Sequence, residues 1–289
     1  MANSDYTQRQ ASFGFCPTAE LSGAIGALTT TVTMENFKAS FADAIRIGMA
    51  AMIDDEIVSI DARAGNSLTI GRGCCDTIAR PHADGAMIWF FDDSLGRDGV
   101  EYAGSEIISV KVLPKTLSSG AIPISHSPPK QVNFNFRFAR PYPPGLVKVN
   151  GANFDTNPTM QAGTDRITLT WAHRNRITQQ DQLIPYGHAS ISPEAGTTYV
   201  ARVYRDDNVL VRTSLPINAL TWFYDWGSAA WDSGYHAGMK TGYVLLSSVR
   251  DGLESFQSYR IDFQYDALNA PQPYGLGFRL GESVGGVTL

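Results

Sequence analysis

The chain has 289 residues and a mass of 31.4 kDa, a length that holds two ordinary domains or one large all-β domain. Hydrophobic residues make up 43% and charged residues 18%, which excludes a disordered or highly charged chain. With 23 Lys and Arg against 28 Asp and Glu the net charge is −5; both halves are net acidic when split after Leu146, and the basic footprint of a nucleic-acid binder is missing.

The N-terminus, Met1-Ala2-Asn3-Ser4-Asp5, has no basic segment leading into an apolar one, so no secretion signal is expected and synthesis in the cytoplasm is. The apolar stretches at 45–53 and 86–91 fall short of the roughly 20 residues that span a bilayer, so no membrane span is expected. Segment 36–51 reads as a short helix over 37–44 followed by strands. Short β-branched and aromatic runs at 66–70, 87–91, 106–113, 132–138, 167–171, 198–204 and 259–265 predict strands. Three hairpin turns stand between such runs, at Gly65-Asn66, Asp206-Asp207-Asn208 and Arg250-Asp251-Gly252, where Gly, Asn and Asp tolerate positive φ.

Asn133-Phe134-Asn135-Phe136-Arg137-Phe138 alternates strictly, which predicts one strand with Phe134, Phe136 and Phe138 on a single face. Pro141-Tyr142-Pro143-Pro144-Gly145 follows; so dense a proline run cannot form an interior strand, and it marks a boundary. The expected organisation is a β-rich domain over 1–130, a connecting strand and Pro-rich linker over 131–146, a sandwich over 147–268 and a tail over 269–289. Phe134, Phe136 and Phe138 are candidates for a domain or subunit contact, with strand augmentation as its mode.

Residues that could carry chemistry are scattered. Cys16, Cys74 and Cys75 are odd in number and two are adjacent, which reads as reduced structural thiols. His82, His126, His173, His188 and His236 lack metal-ligand spacing, and His82 reads as ordering a turn. Asp92, Asp93 and Asp98 form an acidic loop in which an ordinary turn is weighed above a Ca²⁺ site. There is no Gly-x-Ser-x-Gly elbow, Walker loop or Gly-x-Gly-x-x-Gly, so the chain is read as non-enzymatic, with no cofactor and no metal. The densest aromatic segment holds Trp222, Phe223, Tyr224 and Trp226, with Trp231 and Tyr235 nearby. These rings are interface candidates as an exposed recognition loop, or fill a core; the sequence leaves both readings open.

From residue 141 to 266 the chain resembles a fibronectin type III or immunoglobulin-like sandwich. Ile167-Thr168-Leu169-Thr170-Trp171 looks like its second strand with Trp171 as core indole, 198–204 like the next strand and 243–265 like the closing hairpin. The fold class expected is therefore all-β, a small N-terminal β-rich domain followed by such a sandwich. Four further phrases resemble tailed-bacteriophage virion proteins of the tail tip or baseplate: Ile70-Gly71-Arg72-Gly73-Cys74 through Thr77 with His82-Ala83-Asp84-Gly85-Ala86; Arg140-Pro141-Tyr142-Pro143-Pro144-Gly145; Leu169-Thr170-Trp171-Ala172-His173-Arg174; and Val249-Arg250-Asp251-Gly252-Leu253-Glu254-Ser255. What this resemblance implies is a structural virion component that docks other phage tail proteins and is a homo-oligomer in the particle with a trimer favoured; the acidic charge balance adds the expectation that it binds no nucleic acid. The alternative is a receptor-binding module for a bacterial surface glycan.

Overall fold

The computed structural model describes residues 6–7, 15–37, 43–96, 98–116, 118, 120–161, 165–232 and 239–266, and every count below refers to these. The expected helix at 37–44 includes residues 38–42, and Tyr235 and the tail at 269–289 also lie outside the described residues.

Six strands close into a barrel: β1 (Thr18–Leu21), β2 (Thr31–Glu35), β3 (Ala50–Ile53), β4 (Glu56–Ala64), β5 (Ser67–Gly71) and β6 (Met87–Trp89). Their order around the barrel is β1-β2-β5-β4-β3-β6, and antiparallel pairing of β6 with β1 joins the ends. Alternation drives it: Val32 and Met34 of β2 point inward while Thr31, Thr33 and Glu35 face solvent. Leu21, Met34, Ile53, Ile60, Leu68 and Phe90 fill the interior, each contributing about 1.5–3 kcal/mol by leaving water. The β4–β5 hairpin turns at Gly65-Asn66 as expected, with Gly65 at φ +60.

An arm follows, in which β7 (Ile107–Val110) pairs antiparallel with β10 (Lys130–Asn133), and β8 (Lys115–Thr116) and β9 (Gly120–Ala121) form a small hairpin between them. No residue from 91 to 146 belongs to either hydrophobic core. The long strand expected over 132–138 is corrected here: β10 stops at Asn133, Phe136 takes a left-handed φ of 58, and a 3₁₀ turn covers Arg137–Ala139. The cause is local packing. Phe134 stacks on Tyr102 with centroids 4.6 Å apart, and the Phe136 ring lies so close to Gly104 that a Cβ there would fall 1.9 Å from Cε1. Phe134, Phe136 and Phe138 therefore do not share one strand face.

The remaining strands are β11 (Gly145–Val149), β12 (Ala152–Asn153), β13 (Thr159–Met160), β14 (Arg166–Ala172), β15 (Thr198–Arg205), β16 (Leu210–Thr213), β17 (Thr221–Asp225), β18 (Met239–Arg250), β19 (Leu253–Glu254) and β20 (Tyr259–Asp266), with helix α1 (Trp226–Asp232) between β17 and β18. One sheet runs β12-β11-β14-β17 and the other β13-β20-β18-β15-β16. Setting aside the two-residue strands, the first, second and fifth strands share one sheet and the third, fourth, sixth and seventh the other, the division of a fibronectin type III-like sandwich. Ile167, Leu169 and Trp171 from β14 face Tyr199, Ala201 and Val203 from β15 across the core, all at most 5% exposed, as their alternation predicts. The turns at 206–208 and 250–252 join the expected strands.

No helix among the described residues is long and apolar enough to cross a membrane.

Candidate docking site at the domain seam

The Pro-rich stretch is a packed joint. Pro141, Pro143 and Pro144 are buried and lead straight into β11 at Gly145. Barrel and sandwich meet along this joint through specific hydrogen bonds: Tyr186 N donates to Arg72 O at 2.9 Å, Arg174 Nη1 to Gly73 O at 3.2 Å, and Gln257 bridges by accepting from Ile78 N and donating to Asp55 O, both at 2.9 Å. Ala27, Ile78 and Ala79 of the barrel side enter the sandwich core. Gly73 sits at φ +56, and a Cβ there would come 2.7 Å from Ala79 N, so only glycine fits this turn.

At the barrel side of the seam lies a buried charge network that the sequence reading missed. Arg72 and Glu56 are 1% and 0% exposed and form a two-pronged pair, Nε–Oε1 at 2.8 Å and Nη2–Oε2 at 2.9 Å. The other Arg72 donors reach the carbonyls of Gly26, Thr29 and Arg80, and Glu56 also accepts from the backbone N–H of Gly73 and Arg80. His82, expected to order a turn, is buried between two carboxylates, with Nδ1 2.7 Å from Asp54 Oδ2 and Nε2 2.9 Å from Glu56 Oε2. Both ring nitrogens thus lie within hydrogen-bond distance of a carboxylate oxygen.

Burial alone would push the Glu56 carboxyl up, but the hydrogen bonds from His82 and Arg72, the Arg72 charge and the Gly73 N–H outweigh it and hold Glu56 below the ordinary value of 4.5. A carboxylate with a depressed folded pKa contributes stability that is present above its unfolded pKa and is lost as pH falls through the folded value. Wild-type protein should therefore lose stability in urea titrations as pH falls below about 4.5, and Glu56→Gln, though weaker at neutral pH, should show a shallower acid slope. Parallel slopes would remove Glu56 as the titrating group.

On the outer side of the seam a groove of about 710 Å³ opens between the arm and the sandwich, lined by Tyr102, Phe134, Phe136, Phe138 and Tyr142 with Arg137, Arg140, Arg176 and Asp76. Asp76 binds Arg137 bidentately, with Nη2–Oδ1 at 2.8 Å, and the Arg137 guanidinium lies over the Phe256 ring. Hydrogen bonding to Asp76 raises the Arg137 pKa further. Arg176 pairs with the buried Glu194, which Arg250 also reaches. Arg140 meets only carbonyls among the described residues, Asn135 O at 3.1 Å and Glu254 O at 2.9 Å. Behind the groove, burial pushes the Cys74 thiol up to about 12 and raises Cys75, so both stay protonated and unreactive near neutrality.

The four phrases singled out in the sequence, far apart along the chain, converge here: Arg72 and Gly73, Arg140 and Tyr142, Arg174, and Glu254. The aromatic segment does not join them. It is a strand and a helix, not a loop. Tyr224 and Trp226 are 3% and 1% exposed and belong to the sandwich core, which withdraws them as interface candidates. Trp222 is half-buried against that core, whereas Phe223 and Trp231 are 55% and 63% exposed. Phe223 faces outward because it alternates with Trp222 and Tyr224 on β17, and Arg166 lies over its ring.

The acidic loop carries ordinary contacts. Asp93 pairs with Arg46, Asp92 accepts from Ala50 N, and Asp98 accepts from Val100 N and the Tyr102 hydroxyl. His173, expected to make a polar loop contact, binds the Tyr199 hydroxyl at 2.6 Å, and burial lowers its pKa.

No protein-family model matches the chain, and no curated protein matches it. Among solved structures 22 chains match. They include the FN1–FN3 domains of chicken CNTN1, at 8% identity and a TM-score of 0.25, over 86% of this chain and 66% of that one. The chain thus spans just under two thirds of that fragment. At this TM-score the likeness adds nothing to the strand pairing, on which the assignment of a β-barrel joined to a fibronectin type III-like sandwich rests.

Proposed function

We propose that this chain is a non-enzymatic structural component of a phage tail tip or baseplate, acting in virion assembly by docking neighbouring tail proteins. The observation that supports this reading most is the arm over 98–140, which joins neither core and holds apolar side chains in the open: Ile107 is 59%, Val132 41% and Phe138 80% exposed. A two-stranded ribbon of this kind is marginal alone in water, and covering it with a partner removes that deficit. Symmetric copies in the particle multiply weak contacts of this size. The rest of the reading comes from the phrase resemblance, including assembly as a homo-oligomer, residence in the virion and synthesis in the host cytoplasm.

A receptor-binding module for a bacterial surface glycan is the second reading, favoured by the 63% exposure of Trp231, since exposed aromatic side chains stack on sugars. One experiment separates the two. Particles produced with Phe138→Asp should lose this chain in mass spectrometry of the purified virion, while Trp231→Ala should leave both incorporation and adsorption intact. Normal incorporation of Phe138→Asp with loss of adsorption by Trp231→Ala would reverse the assignment.

A further inference from the structure

We infer that the groove between the arm and the seam binds an acidic, extended segment of a partner polypeptide, which adds a strand to the outer edge of β10 and sets a carboxylate on Arg140. This inference rests on the docking reading and specifies its ligand. Phe134 N donates to Glu106 O, and in the antiparallel register Lys130↔Val110 through Asn133↔Ile107 that fixes the alternation. The backbone groups of Val132 face β7, and those of Gln131 and Asn133 face away from it. Every residue of β10 is exposed, and Gln131 and Asn133 have no hydrogen-bond partner for these outward groups among the described residues, so the edge is open for pairing.

Asn133 sits on the groove wall, so an added strand would run from this edge into the groove. Arg140 is two residues beyond Phe138, anchored to Asn135 O, and faces no carboxylate among the described residues. Arg174, 6% exposed, lies behind it, also with carbonyl acceptors only, its guanidinium over the Tyr142 ring. A net positive, aromatic-lined groove in a chain of net charge −5 complements an acidic partner, and Arg with aromatic rings is the composition of interface hot spots. The outward N–H and C=O groups recur at every second residue, the spacing of an extended polypeptide and not of a sugar chain. That repeat favours a peptide over an anionic glycan.

The test is selection of a displayed random dodecapeptide library on the full chain, with polygalacturonate as the glycan probe. Acid-rich sequences should be enriched on wild type. Synthetic versions should bind Arg140→Glu at least about tenfold more weakly. They should also fail to bind Gln131→Pro, which deletes an outward N–H and leaves the β7–β10 bonds and the thermal unfolding curve intact. No acidic enrichment, or binding untouched by both substitutions in folded protein, would overturn the proposal, as would polygalacturonate binding that Gln131→Pro leaves unchanged. Particle mass spectrometry is a separate readout: a chain absent from virions that still selects acidic peptides loses the tail-tip reading and keeps the groove, and the reverse result removes the groove alone.

Discussion

Arg72→Ala should lower stability by about 3–5 kcal/mol, a large share of the roughly 5–15 kcal/mol that holds an ordinary domain together. The guanidinium is 1% exposed and its removal strands the Glu56 carboxylate, 0% exposed, with His82 Nε2 as its remaining side-chain contact. Many buried ion pairs can be replaced by apolar residues without loss. This one should behave otherwise, because it is wired into the backbone. Arg72 serves the carbonyls of Gly26, Thr29 and Arg80, and Glu56 serves the N–H groups of Gly73 and Arg80. A Glu56→Leu, Arg72→Met double variant leaves those groups buried, at about 1–3 kcal/mol for each that finds no other partner. It should therefore be no more stable than Arg72→Ala.

Arg72→Lys keeps the charge but loses the fork, so an intermediate loss is expected. The backbone of Arg72 also accepts from Tyr186 N, which places the network against the sandwich. Urea unfolding of Arg72→Ala should accordingly split one transition into two, with the barrel melting first. A loss under about 1 kcal/mol with a single transition would show that the seam does not depend on this pair.

The parts of the fold that were legible in the sequence are those written in short-range pattern. Ile167, Leu169 and Trp171 alternate because one side of β14 faces the core, and the turn residues at 65–66, 206–208 and 250–252 supply the positive φ that hairpins require. The sandwich itself was read from the resemblance of these strands to a fibronectin type III or immunoglobulin-like domain.

Alternation misled at 133–138 because period two says which way side chains would point in a strand and nothing about where the strand stops. Its end is dictated by Gly104, a contact across the ribbon that no local pattern encodes. The buried network escaped for a related reason. Asp54, Glu56, Arg72 and His82 are spread over three chain segments, and a lone histidine or a glutamate at the head of a strand carries no period. The available signal was Gly71-Arg72-Gly73: two glycines flanking an arginine let neighbouring groups pack closely on either side of it. A Cβ at Gly71 would fall 2.6 Å from Pro185 Cγ, and one at Gly73 would fall 3.2 Å from Tyr186 Cβ. The groove was half legible. The phenylalanines were singled out, but Arg140 acquires its role from Asn135 and Glu254, the latter more than a hundred residues away.

Trp226→Ala should cost about 3–5 kcal/mol, whereas Phe223→Ala and Trp231→Ala should each change stability by less than about 1 kcal/mol, although the three rings lie within nine residues of one another. The difference comes from how β17 hands over to α1. Asp225 ends the strand and caps the helix, its Oδ1 accepting from Ser228 N at 2.8 Å. Trp226 N donates to Asp165 O at 2.8 Å, which holds the residue at the edge of β14. The cap directs the Trp226 indole into the core beside Tyr224 and Ala229, and Asp232 closes the helix by accepting from the Tyr224 hydroxyl and Arg212. Removing the indole leaves a cavity among side chains fixed from both sheets, which cannot collapse to fill it. Phe223 lies on the outer face under Arg166, where truncation exposes no core. Chemical denaturation of the three variants decides the matter: equal losses would mean that the segment behaves as one exposed aromatic loop and that the strand-to-helix handover does not position these rings.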